Sequence, residues 1–117
     1  MNAEGFKELV IEAIADMKGK DVTCIDVRDL TGVTDYMVFA SGTSTRHVKS
    51  IAMNVVDEAK KLDLRPIGVE GDNAADWVLV DFGDLVVHVM LPETRAFYDL
   101  ESLWSGQPQE SLTNQQD

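Results

Sequence analysis

The sequence predicts one α/β domain with the element order αββαβββα, and three observations carry that prediction. Two segments place apolar residues at three-four spacing, as one face of a helix requires. Short β-branched runs alternate with polar, Gly-bearing stretches, the pattern of strands and loops. Toward the C-terminal end two alternating runs flank Gly83-Asp84, which reads as a β-hairpin.

Phe6, Leu9, Val10, Ala13, Ile14 and Met17 form the apolar stripe of the first helix, with Asn2 placed to cap it and Gly19 to stop it. Val22–Val27 is short and β-branched, a strand, and Asp29–Asp35 is a loop around Gly32. Tyr36–Ser41 is nearly all apolar and is expected to be a central strand covered on both faces. Gly42–Thr45 then opens a second helix whose buried stripe is Val48, Ile51, Ala52, Val55, Ala59 and Leu62. Lys49, Met53, Asp57, Lys60 and Lys61 face outward, with Asp57 and Lys61 spaced for an ion pair. Arg65-Pro66 ends the helix, because the residue before proline is pushed toward extended geometry. Pro66–Val69 is a short strand near an edge, and Glu70–Asp76 is an acidic loop. The hairpin runs over Trp77–Phe82 and Leu85–Leu91, and Pro92–Trp104 reads as a terminal helix with Phe97, Leu100 and Trp104 at helical spacing. Ser105–Asp117, rich in Gln, Ser, Asn and Pro, reads as a disordered tail, so the single domain is expected to span residues 1–104.

The hairpin register separates two faces. One carries Val78, Val80, Phe82, Leu85, Val87, Val89 and Leu91, wholly apolar and therefore core. The other carries Trp77, Leu79, Asp81, Val86, His88 and Met90, with Trp77 opposite Met90 and Leu79 opposite His88. A Trp and a Met beside a His and an Asp have the composition of a protein contact surface. Either a partner or second copy covers this face, or the terminal segment of the same chain does.

Composition narrows the function. Lys and Arg number 10 against 21 Asp and Glu, a formal net charge of −11, so nucleic acids and anionic membranes are repelled. Half of the cations lie in Arg46–Arg65, leaving room for a local basic stripe. The acidity either steers the chain to a basic protein or serves solubility; charge alone does not choose. Apolar runs such as Met37–Ala40 and Leu85–Val87 are far short of the roughly 20 residues that span a bilayer. Met1–Lys18 reads as neither a signal peptide nor a transit peptide, and the lone Cys24 suits a reducing compartment, so a cytoplasmic location is expected.

Chemistry is thinly supported. His47 and His88 lack metal-ligand spacing, Cys24 has no Cys or His close by and is expected to be a small buried side chain, and no nucleophile motif occurs. No catalytic residue, metal or cofactor is assigned. Ser41-Gly42-Thr43-Ser44-Thr45-Arg46-His47 joins a strand to a helix N-terminus, where amides favour an anion, although capping by Ser44 or Thr43 explains most of it. A nucleotidyl transferase would seat a triphosphate at such a loop, but it also needs carboxylates to hold Mg²⁺. Asp81 lies on the hairpin and Asp84 in its turn; Asp26 and Asp35 are left as substitutes, though nothing in their spacing requires it.

Several stretches together resemble the RsfS/Iojap ribosomal silencing factors. They are Thr34–Val38, Ser41–Val48, Gly68–Gly71, Trp77–Asp81, Gly83–His88 and Arg95–Glu101, spanning about residues 5–104 in family order. The loop Asp29–Val33 and the polar tail depart from that pattern. The resemblance implies a nucleotidyltransferase-like mixed sheet, helices mainly on one face, without the catalytic carboxylates. It further implies binding to the large-subunit ribosomal protein numbered fourteen, blockage of small-subunit joining, repression of translation when nutrients are short, and homodimers of the free chain. Partner contacts are then expected at Trp77, Leu79, His88, Met90, Tyr98, Asp76 and Asp81, with Thr43, Ser44, Arg46 and His47 as an anion or secondary contact. A nucleotide-binding enzyme and a plain oligomerisation domain are the other readings.

Overall fold

The computed structural model describes residues 2–104, and side chains over residues 2–102. The order is α1 (Ala3–Asp16), β1 (Lys20–Asp26), β2 (Tyr36–Ser41), α2 (Thr45–Lys60), β3 (Gly68–Glu70), β4 (Trp77–Asp81), β5 (Leu85–Met90), α3 (Pro92–Tyr98) and α4 (Leu100–Trp104). The strands form one sheet in the order β1-β2-β5-β4-β3. Only β2 and β5 run parallel; every other pair is antiparallel. The expected mixed sheet and its αββαβββα order are therefore present, with the terminal helix divided in two. The polar tail expected at Ser105–Asp117 lies outside the described residues. Among the described residues no helix is long and apolar enough to cross a membrane.

Asn2 caps α1, its Oδ1 accepting the Gly5 N–H at 2.8 Å. Gly19 was expected to stop this helix, yet the left-handed residue is Lys18, at φ 60°. The Gly19 N–H donates back to the Ile14 carbonyl, and a Cβ at position 19 would collide with the Ile14 side chain. Gly19 is needed for close approach, not for its dihedral freedom. Ser44 caps α2 by accepting the His47 N–H at 3.1 Å, and the Asn54 amide donates to the Ala13 carbonyl, tying α2 to α1.

Both long helices lie on one face of the sheet. Phe6, Val10, Ala13 and Ile14 of α1 and Val48, Ile51, Ala52, Val55, Val56 and Ala59 of α2 pack on Val38, Ala40, Val78, Val80, Leu85, Val87 and Val89. Fully buried aliphatic side chains contribute about 1.5–3 kcal/mol each, so this layer dominates stability. A smaller cluster on the opposite face joins Val27, Met37, Phe39 and Met90, with Ile25, Trp77 and Leu100 against it. Strand β2 is buried throughout, as expected, but the middle of the sheet is β5.

Local expectations needed revision where spacing alone chose a partner. Lys61 pairs with Glu58 at 2.8 Å instead of Asp57, three residues rather than four back along the last turn of α2. Leu62 falls after the helix end and is 45% exposed, while Val56 takes a place in the core. Strand β1 begins at Lys20, two residues before the expected start, and β3 is Gly68–Glu70 rather than Pro66–Val69. The terminal helix breaks at Asp99, which is left-handed at φ 48° and ψ 46°. That break turns Phe97 outward, 80% exposed, while Leu100 packs inward.

Candidate docking surface

The hairpin has the expected register: Trp77 lies opposite Met90, Leu79 opposite His88 and Asp81 opposite Val86. The six side chains of its second face are not equally accessible. His88 is 4% exposed, Met90 1% and Val86 9%, whereas Trp77, Leu79 and Asp81 are half-buried. The two strand neighbours expected to touch a partner, His88 and Met90, thus lie beneath the surface and support it. Part of the covering comes from the same chain, since Leu100 of α4 packs on the Met37, Phe39 and Met90 cluster.

What remains outside is aromatic. Tyr98, at the end of α3, lies 4.9 Å from the Trp77 ring at 44°, and Phe97 meets Tyr98 edge-on at 5.0 Å. Tyr98 is 52% exposed. Asp76 is exposed just before β4, with its carbonyl accepting the Leu91 N–H, and the Asp81 carboxylate accepts the Gly83 N–H at 2.8 Å. Ahead of Trp77 the chain turns at Gly71, φ 84°, where a Cβ would run into the Trp77 carbonyl. Phe97, Tyr98, Trp77 and Leu79 therefore form an apolar strip with carboxylates beside it, the anatomy of a docking surface.

Beneath the strip, the indole Nε1–H of Trp77 donates to His88 Nδ1 at 3.2 Å. The His88 ring stacks on Phe39, centroids 4.8 Å apart and 10° from parallel. Because Nδ1 accepts, the neutral ring carries its proton on Nε2, and that atom has no partner among the described residues. A buried donor left unpaired costs about 1–3 kcal/mol. Burial holds the His88 pKa down at about 4.

Arg95 anchors the helices that carry the strip. Its guanidinium binds Glu101 at 2.6 and 2.9 Å, Ser41 Oγ at 2.9 Å and Thr23 Oγ1 at 3.2 Å. One side chain therefore joins α3 and α4 to the middle of β1 and the end of β2. The Arg95 guanidinium holds the Glu101 carboxyl below its ordinary 4.5. Sequence reasoning placed Arg95 and Glu101 in a family-like stretch without assigning them a role. Six residues apart, they match no helical spacing, and only the left-handed turn at Asp99 brings them together.

The loop after β2 is occupied by its own caps. Ser44 is spent on α2, the Thr43 N–H donates to His47 Nδ1 at 2.9 Å, and His47 Nε2–H donates to the Met17 carbonyl at 2.7 Å. Of the four residues expected there, Thr43, Ser44 and His47 tie helix ends together, and Arg46 stays exposed. The carboxylates a transferase would need lie elsewhere. Asp26 pairs across to Tyr36, and Asp81 to Val86, at the start of β2 and β5, while Gly42 follows the end of β2. A six-residue strand separates the two ends by about 17–20 Å. Asp26 is also taken, by Arg28 at 2.6 Å, which draws its carboxyl down to about 2.

Cys24 is half-buried against the main core, and burial raises its thiol pKa, so it is no activated nucleophile. Among the described residues no group of three or more His, Cys, Asp or Glu could hold a metal ion. A cavity of about 90 Å³ lies between the start of α1 and the hairpin turn, lined by Phe6, Leu64, Arg65, Phe82 and Asp84 among others. Cofactor sites run to roughly 300–1,000 Å³, so it holds a few waters at most.

Comparison with known proteins agrees with this fold. The family model for RsfS, ribosomal silencing factor during starvation, matches residues 2–117. The chain is 45% identical over 107 residues to the ribosomal silencing factor RsfS of Chromobacterium violaceum, covering 92% of this chain and 88% of that one. It is 40% identical over 101 residues to mouse mitochondrial assembly of ribosomal large subunit protein 1, covering 84% of this chain and 44% of that longer protein. A crystal structure of a protein from Chromobacterium violaceum superimposes with a TM-score of 0.89 at 44% identity, covering 92% of this chain and 90% of that one.

Proposed function

The chain belongs to the ribosomal silencing factor family, and on that premise we propose that it is a non-enzymatic regulator that docks on the large ribosomal subunit. There it binds the basic protein numbered fourteen and sterically blocks joining of the small subunit, repressing translation when nutrients are limiting. It acts in the cytoplasm, and the free chain is a homodimer. The observation that carries the docking reading is the strip of exposed Phe97 and Tyr98 and half-buried Trp77 and Leu79 beside Asp76 and Asp81. Such a strip on a body of net charge −11 suits a basic protein surface and is repelled by bare RNA. The mouse relative, named for large-subunit assembly, supports the same partner class.

Direct contacts are assigned to Trp77, Leu79, Tyr98, Asp76 and Asp81, with His88 and Met90 supporting them from below. The separation of Asp26, Asp35, Asp81 and Asp84 from Gly42 weighs against nucleotidyl transfer. The test is co-sedimentation of purified protein with isolated large subunits, using small subunits as control. Selective binding to large subunits, competed by the isolated basic partner, is expected, and Trp77→Ala should abolish it while the protein stays folded. Absence of binding at low salt would end the silencing reading.

A further inference from the structure

His88 is an expensive choice for the position it fills. Its ring is stacked flat on Phe39 and 4% exposed, a place where phenylalanine would serve the packing as well. One ring nitrogen has no partner among the described residues, which phenylalanine would avoid. Among the described residues the ring's one polar contact is with Trp77, whose Nε1–H it accepts. Trp77 is the half-buried centre of the aromatic strip, and its ring packs against that of Tyr98 at 4.9 Å.

We propose that His88 is the positioning residue of the docking surface: it anchors the Trp77 indole by its N–H, so that only hydrocarbon faces the partner. This rests on the docking reading above and deepens it. An indole has a single donor and no strong acceptor. With the donor satisfied inside the protein, the ring cannot flip without losing that bond and its packing on Tyr98. The partner therefore needs an apolar pocket, or a cationic side chain stacked on the ring, and no acceptor for the indole. Preorganising one aromatic anchor spares its ordering on binding.

The test uses the full chain with ¹⁵N-labelled tryptophan, the Trp77 indole signal being identified by its loss in Trp77→Phe. Indole proton exchange, the thermal midpoint and large-subunit binding are measured for His88→Phe and His88→Asn. Phenylalanine keeps the volume and the stacking but removes the acceptor. Asparagine puts an oxygen near the place of Nδ1 and loses the ring. In His88→Phe the indole proton should exchange at least about tenfold faster and affinity fall roughly tenfold, with no drop in thermal midpoint. In His88→Asn the slow exchange and the affinity should return toward wild type although the midpoint falls.

Two results overturn the proposal: a folded His88→Phe protein with wild-type binding and exchange, or equal loss of binding in both variants, which would make His88 packing only. Wild-type binding by Trp77→Ala would instead sink the docking reading. Indole exchange would still decide whether His88 holds Trp77.

Discussion

His88 couples stability to acidity through a single ring. Burial lowers its pKa from an ordinary 6.5 to about 4, so between those values the unfolded chain binds a proton that the folded chain refuses. Stability therefore rises with pH across that interval and is lost as pH falls through it, by ~3 kcal/mol once the pH lies below both values. Glu101, depressed by Arg95, adds a loss of the same sign below its ordinary 4.5. Urea titrations from pH 7 to pH 4 should show a falling midpoint, and His88→Phe should flatten the upper part of the curve; an unchanged slope in that variant would show that other groups carry it. At this scale the caps Asn2 and Ser44 were legible in the sequence, because capping is local. The links from Trp77 to His88 and from His47 to Met17 were not, since they depend on how strands and helices meet. Register did place His88 on the mixed face, but burial separated it from its half-buried neighbours, because it lies between the Phe39 ring and the Trp77 indole.

Helices α3 and α4 are short, and α3 buries none of its residues, so neither would persist on its own propensity. What holds them is the Arg95 network and the seat of Leu100 on the second cluster. Removing the guanidinium while keeping its stem should release them together. Arg95→Met is expected to raise amide exchange across residues 92–102 and to weaken large-subunit binding several-fold, because Tyr98 loses its place against Trp77. Unchanged exchange across that segment would show that Leu100 alone suffices. The sequence indicated one continuous helix here, since Phe97, Leu100 and Trp104 keep helical spacing. Periodicity carries no mark of the left-handed turn at Asp99, and that turn alone lets Arg95 reach Glu101 and leaves Phe97 outside.

For the molecule as a whole, the charge of −11 and the strip act at different ranges. Long-range attraction to a basic partner is screened over about 8 Å at physiological salt, whereas apolar contact is not. Raising salt from about 50 to 300 mM should slow association with the isolated basic partner far more than it speeds dissociation. Stopped-flow rates at several salt concentrations measure this, and a salt-independent association rate would remove steering from the account. The order of elements and the hairpin register were legible because alternation and three-four spacing report burial directly. The full strand order was not, because nothing local in Tyr36–Ser41 shows that it lies beside Leu85–Met90.

That pairing of β2 with β5 also sets a timetable for the nascent chain. Tyr36 waits for Leu85, 49 positions later by subtraction, before the middle of the sheet can close. At roughly 5–20 residues per second, synthesis leaves β2 without this neighbour for about 2–10 s. During that time its apolar side chains and one backbone edge stay open to other chains. The chain thus leaves its ribosome with β2 waiting for β5, and whatever shields Tyr36–Ser41 in the meantime keeps that edge from other chains.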